Sequence, residues 1–407
     1  MIFVGIDWSE QHHEVEVQAE SGKKLKALKV SADLAGLTRF HEAIAALAEE
    51  PSQVAIGIEA NHGLWVNALV ASGYLIYPIN PLTSARNREG DSPAGSKSDR
   101  GDARMLATLV RTKRDRLRPL AGDSVQAQAI QIRARSHVRA IRLQQRLRNQ
   151  LRSALLKFFP GLLPLFADER EDFRDALAVL SVAPNPEQGR RLSLSKLEAT
   201  LRRHGRQRNL AARAAQIQAL LREPHLELES AKLAGAYSDE VQYLVRTLLH
   251  VRSEIAQLEQ QLAVDFREHP DAEIYLSLPG LADVLGARVL GESGDDPTRY
   301  PNARSRKNYV GNSPVTKASG RSRQVQRRIA SNRLLGDATF RWAACALHAS
   351  PGARRYYEQL KARDKSHTVA VRALANKLTG ILHGCLHERR LYDEANAWPV
   401  QLHEEAA

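Results

Sequence analysis

At 407 residues, 43% of them hydrophobic, the chain is long enough for two or three domains, each with its own core. A formal net charge of +13 and a pI of about 9.8 favour nucleic acid or another polyanion as partner. No apolar run approaches the roughly 20 residues of a spanning helix, MIFVGIDWSE enters a strand without a signal-peptide n-region, and Cys345 and Cys385 form no CxxC or Cys/His cluster, so a cytoplasmic protein without a disulfide framework or zinc site is predicted.

Residues 1 to 118 read as an α/β domain. Ile2 to Ile6, Glu14 to Gln18 and Lys24 to Val30 are three short strands, the last two alternating and separated by the Ser21-Gly22 turn. A helix over Asp33 to Glu49 carries Leu34, Leu37, Phe40, Ile44 and Leu47 at three- and four-residue spacings, and the apolar strand Val54 to Ile58 follows. A helix from His62 to Ala71, a strand from Leu75 to Ile79 and a helix from Asp99 to Arg111 complete the order, which matches a ribonuclease H type of fold.

Four carboxylates punctuate this domain: Asp7 just beyond the first strand, Glu59 just beyond the fourth, and Asp99 with Asp102 in KSDRGDA. In this topology the first and fourth strands are neighbours, so Asp7 and Glu59 converge at one sheet end, while a spacing of three puts Asp99 and Asp102 on one helix face. Carboxylates so gathered repel one another unless a divalent cation lies among them, and Mg²⁺, singly or as a two-metal pair, is the cation such oxygen donors suit. The simpler alternative makes Asp99 a helix N-cap and Asp102 a first-turn acid favoured by the helix dipole. GIDWSEQHHEVEV also suits the first phosphate loop of the actin and sugar-kinase fold, but no later glycine-rich phosphate loop follows, and Gly90 to Gly101 lacks the P-loop order and reads as a flexible loop leading into the Asp99 helix.

Residues 119 to 270 read as a helical arm. Between Ser124 and Ala167 there is no acid, and Arg135, Arg139, Arg142 and Arg146 recur at four- and three-residue steps as a basic stripe suited to phosphates, with Leu143, Leu147, Leu151 and Leu155 on another face. From Asp239 to about Glu268, Leu244, Leu248, Val251, Ile255, Leu258 and Leu262 approach a coiled-coil heptad. Pattern alone leaves open whether the arm associates two protomers or folds into an intramolecular antiparallel hairpin.

Residues 271 to 392 form a third region, followed by a tail at 393 to 407. YLSLPGLADVLGARVLGESGD has the form of one helix-hairpin-helix unit, whose Gly turn exposes backbone N–H groups to a phosphate. From Tyr300 to Arg341 ten residues are Arg or Lys and Asp337 is the sole acid. Within this stretch, NSPVTKASGRSR reads as an Arg-rich loop that places Ser319 beside Gly320, with Lys317, Arg321 and Arg323 available to a phosphodiester. Composition alone does not separate Ser319 from Ser305, Ser313, Ser322 or Ser331, and Tyr309 is a rival nucleophile whose KNYVGNSP context reads better as a helix end.

VGIDWS, IEA, KSDRGDA, LPGLADVLGARVLGESGD, RKNYVGNSPVTKASGRS and HGCL together resemble the DEDD transposases of bacterial insertion sequences, in the insertion-sequence-110 family, over almost the whole chain. The resemblance implies a RuvC-like N-terminal domain, a coiled-coil middle and a mainly helical C-terminal transposase domain. It makes Asp7, Glu59, Asp99 and Asp102 the Mg²⁺-binding tetrad and Ser319 the catalytic serine. It further implies donor and target DNA as substrates, a structured bridge RNA as guide, dimers that assemble into a tetramer, and a bacterial, nucleoid-associated location. On this reading DNA is cut and rejoined through a phosphoserine linkage; the alternatives are a RuvC-like junction nuclease acting by hydrolysis and, further off, an actin-fold ATPase.

Overall fold

The computed structural model describes every residue except 61–62, 92–97, 121, 167–172, 321, 327, 330 and 400–407. It divides into two compact units, Met1–Gly122 and Asp123–Ala407. No described helix is long and apolar enough to cross a membrane.

The first unit is mixed α/β. Strands β1 (Ile2–Asp7), β2 (His12–Ala19) and β3 (Lys24–Ser31) form an antiparallel meander; helix α1 (Leu34–Ala45) leads to β4 (Val54–Ile58), and α2 (Leu64–Ala71) to β5 (Leu75–Pro78). The sheet order is β3-β2-β1-β4-β5, with β4 parallel to both β1 and β5. Helices α3 (Pro81–Asp91) and α4 (Asp99–Lys113) follow. The stretch from Gly90 to Gly101 is expected to be loop, yet α3 reaches Asp91 and α4 begins at Asp99; residues 92–97 between them lie outside the described residues.

Period-two alternation sends Val4, Ile6, Val15, Val17, Ile56 and Ile58 to one face, where Phe40 and Ile44 of α1 and Trp65, Val66 and Leu69 of α2 cover them. Phe3, Ala55 and Tyr77 point the other way, against Met105, Leu106, Leu109 and Val110 of α4. The central strands are thus buried on both faces, which is why they read as near-continuous apolar runs.

Among its described residues the second unit is helical apart from one hairpin. Two long helices, α5 (Val125–Phe158) and α10 (Ala231–Arg267), bracket four shorter ones, α6 (Arg174–Leu180), α7 (Pro186–Arg190), α8 (Leu194–Arg203) and α9 (Leu210–Arg222). They run antiparallel: Arg133 pairs with Asp265, His137 Nε2 lies 3.1 Å from Glu259 Oε1, and Phe158 stacks on Tyr237 at 5.4 Å. The heptad pattern of α10 is therefore used within the chain, against α5. One core gathers Leu147, Leu151 and Leu155 with Leu244, Val245 and Leu248 and the short helices; Leu143, expected on the same apolar stripe, is exposed.

Downstream come α11 (Ala272–Ser277), α12 (Asp283–Ser293), α13 (Ala303–Val310), the hairpin strands β6 (Val315–Ser319) and β7 (Ser322–Gln326), and helices α14 (Arg333–Ala349), α15 (Pro351–Ala362), α16 (His367–His387) and α17 (Glu394–Ala397). Their core includes Ile130 and Ala134 of α5 and Leu262 and Phe266 of α10, so the arm and the C-terminal region share packing across residue 270. The beginning of the expected tail is docked too: Trp398 is buried, and Glu394 Oε1 accepts from Gly352 N at 2.7 Å.

The α11–α12 turn corrects one expectation. Gly280 has φ +80°, as a tight turn requires, but a Cβ there would lie 2.6 Å from Ala346 N, and Trp342 Nε1 donates to Pro279 O at 2.9 Å. The turn is packed on α14 and does not present its glycine to a phosphate.

Candidate functional site

In the first unit the carboxylates are placed by a pair of glycines. Gly5 and Gly57 lie opposite each other in the parallel β1–β4 register, both on the α4 face. A Cβ on Gly5 would overlap the Ala103 carbonyl, and one on Gly57 would lie 2.6 Å from Val110 Cγ2 and 2.8 Å from Leu106 O. The bare backbones let α4 lie directly on the two strands. One step of two residues further, Asp7 and Glu59 follow on the same face, just past the paired Ile6 and Ile58. Both are half-buried.

Helix α4 brings the other two acids. Ser98 is the N-cap, its hydroxyl accepting from Gly101 N, so Asp99 is not the cap it was alternatively expected to be. Asp99 is exposed, whereas Asp102 is only 4% exposed and immediately precedes the Ala103 that rests on Gly5. The spacing of three therefore separates one solvent-facing acid from one sheet-facing acid. Asp7, Glu59 and Asp102 share one face and one end of the sheet.

A polar seam flanks them that sequence reading missed. On β2, Glu14, Glu16 and Gln18 face α4, where Arg100 lies 3.7 Å from Glu14, Arg104 lies 3.4 Å from Glu16, and Gln18 Nε2 donates to Thr108 Oγ1 at 3.1 Å. Arg111 Nε donates to Gln18 Oε1 at 3.3 Å. The signal was available: Arg100, Arg104, Thr108 and Arg111 recur at helical spacing, and Glu14, Glu16 and Gln18 alternate with Val15 and Val17. This seam runs along α4 from Arg100 to Arg111, beside the face seated on Gly5 and Gly57.

Among the described residues no three His, Cys, Asp or Glu side chains are close enough to hold a metal between them. Oxygen donors of this kind are the type Mg²⁺ takes, commonly one or two carboxylates with water and substrate phosphate completing the sphere. His13, adjacent in sequence, does not contribute; it is fully buried edge-on to Trp65. His62 lies outside the described residues.

In the second unit, Ser319 closes the β6–β7 ladder. It pairs with Ser322 across a two-residue turn, and Gly320 in that turn has φ +53° with no atom within 4 Å of a would-be Cβ. What reads in sequence as a basic loop is therefore a hairpin. Lys317 and Arg323, like almost every residue of the two strands, are exposed; Arg321 lies outside the described residues. The rival hydroxyls have other uses: Ser305 completes a capping box with Asn302, and Ser313 donates to Asn376 at 3.2 Å. Tyr309 lies in the last turn of α13, as its context suggested.

The basic stripe of α5 is shorter than expected. Arg135 is held by Glu292 through two bonds of 2.7 and 3.0 Å, which hold its guanidinium above the ordinary range. Any role for Arg135 on nucleic acid must break that pair. Arg139, Arg142 and Arg146 are exposed, on the stretch of α5 between the two cores.

Comparison with known proteins supplies the context. Residues 4–160 match a model of a DEDD transposase family typified by IS110, and residues 272–358 match the transposases of the IS116/IS110/IS902 family. The chain is 37% identical over 400 residues, 98% of its length and 96% of the relative's, to the mini-circle putative transposase for IS117 of Streptomyces coelicolor. It is 27% identical to the insertion element IS900 uncharacterized 42 kDa protein of Mycobacterium paratuberculosis, over 97% of this chain and 98% of that one. An uncharacterized 44.8 kDa protein of insertion element IS116 from Streptomyces clavuligerus is likewise 27% identical over 97% of this chain. The chain belongs to the IS116/IS110/IS902 family of insertion-sequence transposases.

Proposed function

We propose that the chain cuts and rejoins DNA through a covalent phosphoserine intermediate, with Ser319 as nucleophile and a RuvC-like first unit supplying the carboxylates. The observation that carries this reading is the placement of Ser319: an exposed hydroxyl at the end of a hairpin ladder, beside a glycine whose surroundings are open. A backbone so bare allows a phosphodiester to approach closely.

In the first step a bond forms between Ser319 Oγ and the scissile phosphorus while the P–O3′ bond breaks, releasing a 3′-hydroxyl. In the second, a 3′-hydroxyl from another strand attacks that phosphorus and the serine hydroxyl is restored. The number of phosphoester bonds is unchanged throughout, so no nucleotide hydrolysis is required. Lys317, Arg321 and Arg323 contact phosphate beside the nucleophile. Asp7, Glu59 and Asp102 would hold Mg²⁺, one ion or two, with Asp99 available from the exposed side of the same helix turn, and the ion's charge would stabilise the anionic phosphorane. Arg139, Arg142 and Arg146 hold nucleic-acid backbone, which includes a structured bridge RNA that pairs with donor and target DNA. The active assembly is a tetramer of two dimers in the bacterial cytoplasm, on the nucleoid. The C-terminal domain of residues 271–392 then works as the serine-bearing module and residues 119–270 as its arm.

End-labelled DNA and denaturing electrophoresis test the reading. Wild type is expected to give a labelled protein band and Ser319→Ala none, together with loss of cleavage. Continued cleavage by Ser319→Ala would establish the hydrolytic alternative, in which the carboxylates serve an attacking water.

A further inference from the structure

A cavity of about 290 Å³ lies at the foot of the serine hairpin, where Asn312, Ser331, Arg333, Asp337, Thr368 and Arg372 gather beside the apolar Val310 and Phe340. Three elements meet there: the end of α13, the start of α14 and the first turns of α16. Gly311, in the left-handed conformation at φ +86°, keeps the cavity open, because a Cβ there would overlap the Ser331 hydroxyl.

The cavity is tied to the hairpin on both sides. Before β6, Asn312 Nδ2 donates to Thr339 Oγ1 at 3.0 Å and Ser313 donates to Asn376 on α16. After β7, Arg328 donates to Asn308 Oδ1 at 3.1 Å and Asn332 N to Tyr309 O at 2.9 Å. Thr368, Arg372 and Asn376 follow at intervals of four along α16, so the face that grips the hairpin foot continues into the cavity.

Its charge is what singles it out. Asp337, the one acid in the lining, is taken by Arg288 at 2.8 Å and Arg341 at 3.2 Å. Arg333 and Arg372 pair with no acid among the described residues. Two cations without counter-ions, one of them half-buried, beside two hydroxyls and an amide, form a receptor for a tetrahedral anion.

We propose that this cavity binds a backbone phosphate of the DNA strand presented to Ser319, which rests on the reading of Ser319 as nucleophile. The five residues of β6 at about 3.4 Å each put Ser319 roughly 17 Å from the foot. One strand of duplex carries a phosphate about every 3.4 Å along the axis and winds as it rises, so the gripped phosphate lies within about five nucleotides of the scissile one. The site fixes where along the strand the hairpin tip falls; Arg333 and Arg372 position the substrate and do not react with it.

The test uses full-length protein, a 30-base-pair DNA duplex followed by fluorescence anisotropy, and the dependence of binding on salt. Each phosphate contact contributes about 0.9 to the slope of log K against log salt. Arg372→Gln and Arg333→Gln are each expected to lower that slope by about one, Arg372→Lys to retain it, and Arg203→Gln, an exposed arginine of α8, to leave it unchanged. Unchanged melting temperatures verify folding; if Arg372→Gln melts early, the Arg333→Gln and Arg372→Lys pair decides. An unchanged slope in the cavity variants, a fall equal to that of Arg203→Gln, or a fall with duplex RNA but not with DNA overturns the proposal. The slope is read equally well in a Ser319→Ala background, so failure of the nucleophile assignment, seen as a persisting adduct, is distinct from failure of this site.

Discussion

The carboxylate corner of the first unit is held by packing on two sides, whereas the serine hairpin of the second is held mainly by its own ladder and its foot. Asp102 is buried, its helix rests backbone-to-backbone on Gly5 and Gly57, and a polar seam from Arg100 to Arg111 links the helix to β2. Ser319 stands on a two-stranded ribbon exposed along its length. Such a ribbon is marginal on its own in water, and its order is completed by what it touches. The difference suits a division of labour. On the proposed reading, the carboxylates gain from being held in place by the fold, while a nucleophile that must reach a bulky polyanion gains from projecting beyond the core.

Removing each functional group should separate stability from activity in opposite ways, and Ser319→Ala is expected to give the largest effect. Covalent adduct and strand exchange should fall to background while the melting temperature stays put, since exposed substitutions usually cost within about 0.5 kcal/mol. A lowered melting temperature would mean that the hairpin is packed more firmly than its exposure indicates. Asp102→Asn follows, nearly isosteric but lacking the charge. Strand exchange should drop on the order of 10²-fold, the scale of losing one fixed electrostatic contact to a reacting centre. Intact exchange would remove Asp102 from the proposed tetrad.

The two regions can also be compared through their glycines. Gly5→Ala drives a methyl group into the α4 backbone, and neither strand nor helix has a flexible side chain to yield, so a loss of about 3 kcal/mol is expected in urea unfolding. Gly320→Ala meets no atom and suffers only from its positive φ, for which about 1 kcal/mol is the expected local cost. That cost should appear as weakened adduct formation with no change in the urea midpoint. Equal midpoints for the two variants would erase the distinction between seat and ribbon.

Much of the first unit was legible in the sequence because its signals are local and agree. Strict alternation in β2, the apolar runs of β1 and β4 and the spacing of α1 each reappear within a few residues of their expected bounds. The parallel adjacency of β1 and β4, which lead into Asp7 and Glu59, was legible because it follows from the β-β-β-α-β order. What escaped were long-range consequences. Nothing local to Gly5 says that a helix a hundred residues later rests on it. The acid partner of Arg135 is Glu292, 157 residues away, so a stripe judged from helical spacing alone kept an arginine the fold uses elsewhere. The Gly280 turn has the local form of a phosphate-binding loop, but the α14 backbone occupies its face. The hairpin was read as loop because Lys, Ser, Gly and Arg dominate it and no alternation marks a buried face.

The smallest expected effect again divides the two regions, this time by pH. His13 is fully buried in the first unit, edge-on to Trp65 at 4.4 Å, with Ser9 N donating to its Nδ1 at 3.4 Å and no partner for Nε2. Burial, with the neighbouring His12 as a lesser cause, lowers its pKa from the ordinary 6.5. His41, against Tyr74, is lowered by burial in the same sense. Between the lowered value and 6.5 the unfolded chain binds a proton that the folded one refuses, so stability rises with pH. The stabilisation is complete above 6.5 and is lost as pH falls below it. Urea midpoints at pH 7.5, 6.5 and 5.5 should therefore decline toward acid, and His13→Gln should flatten part of that decline. No buried histidine lies on the hairpin, so lysine and arginine exposure there should be insensitive across the same window, as read by chemical labelling. A midpoint independent of pH would show that His13 accepts its proton without leaving the core, and the seat would then be more yielding than its packing implies.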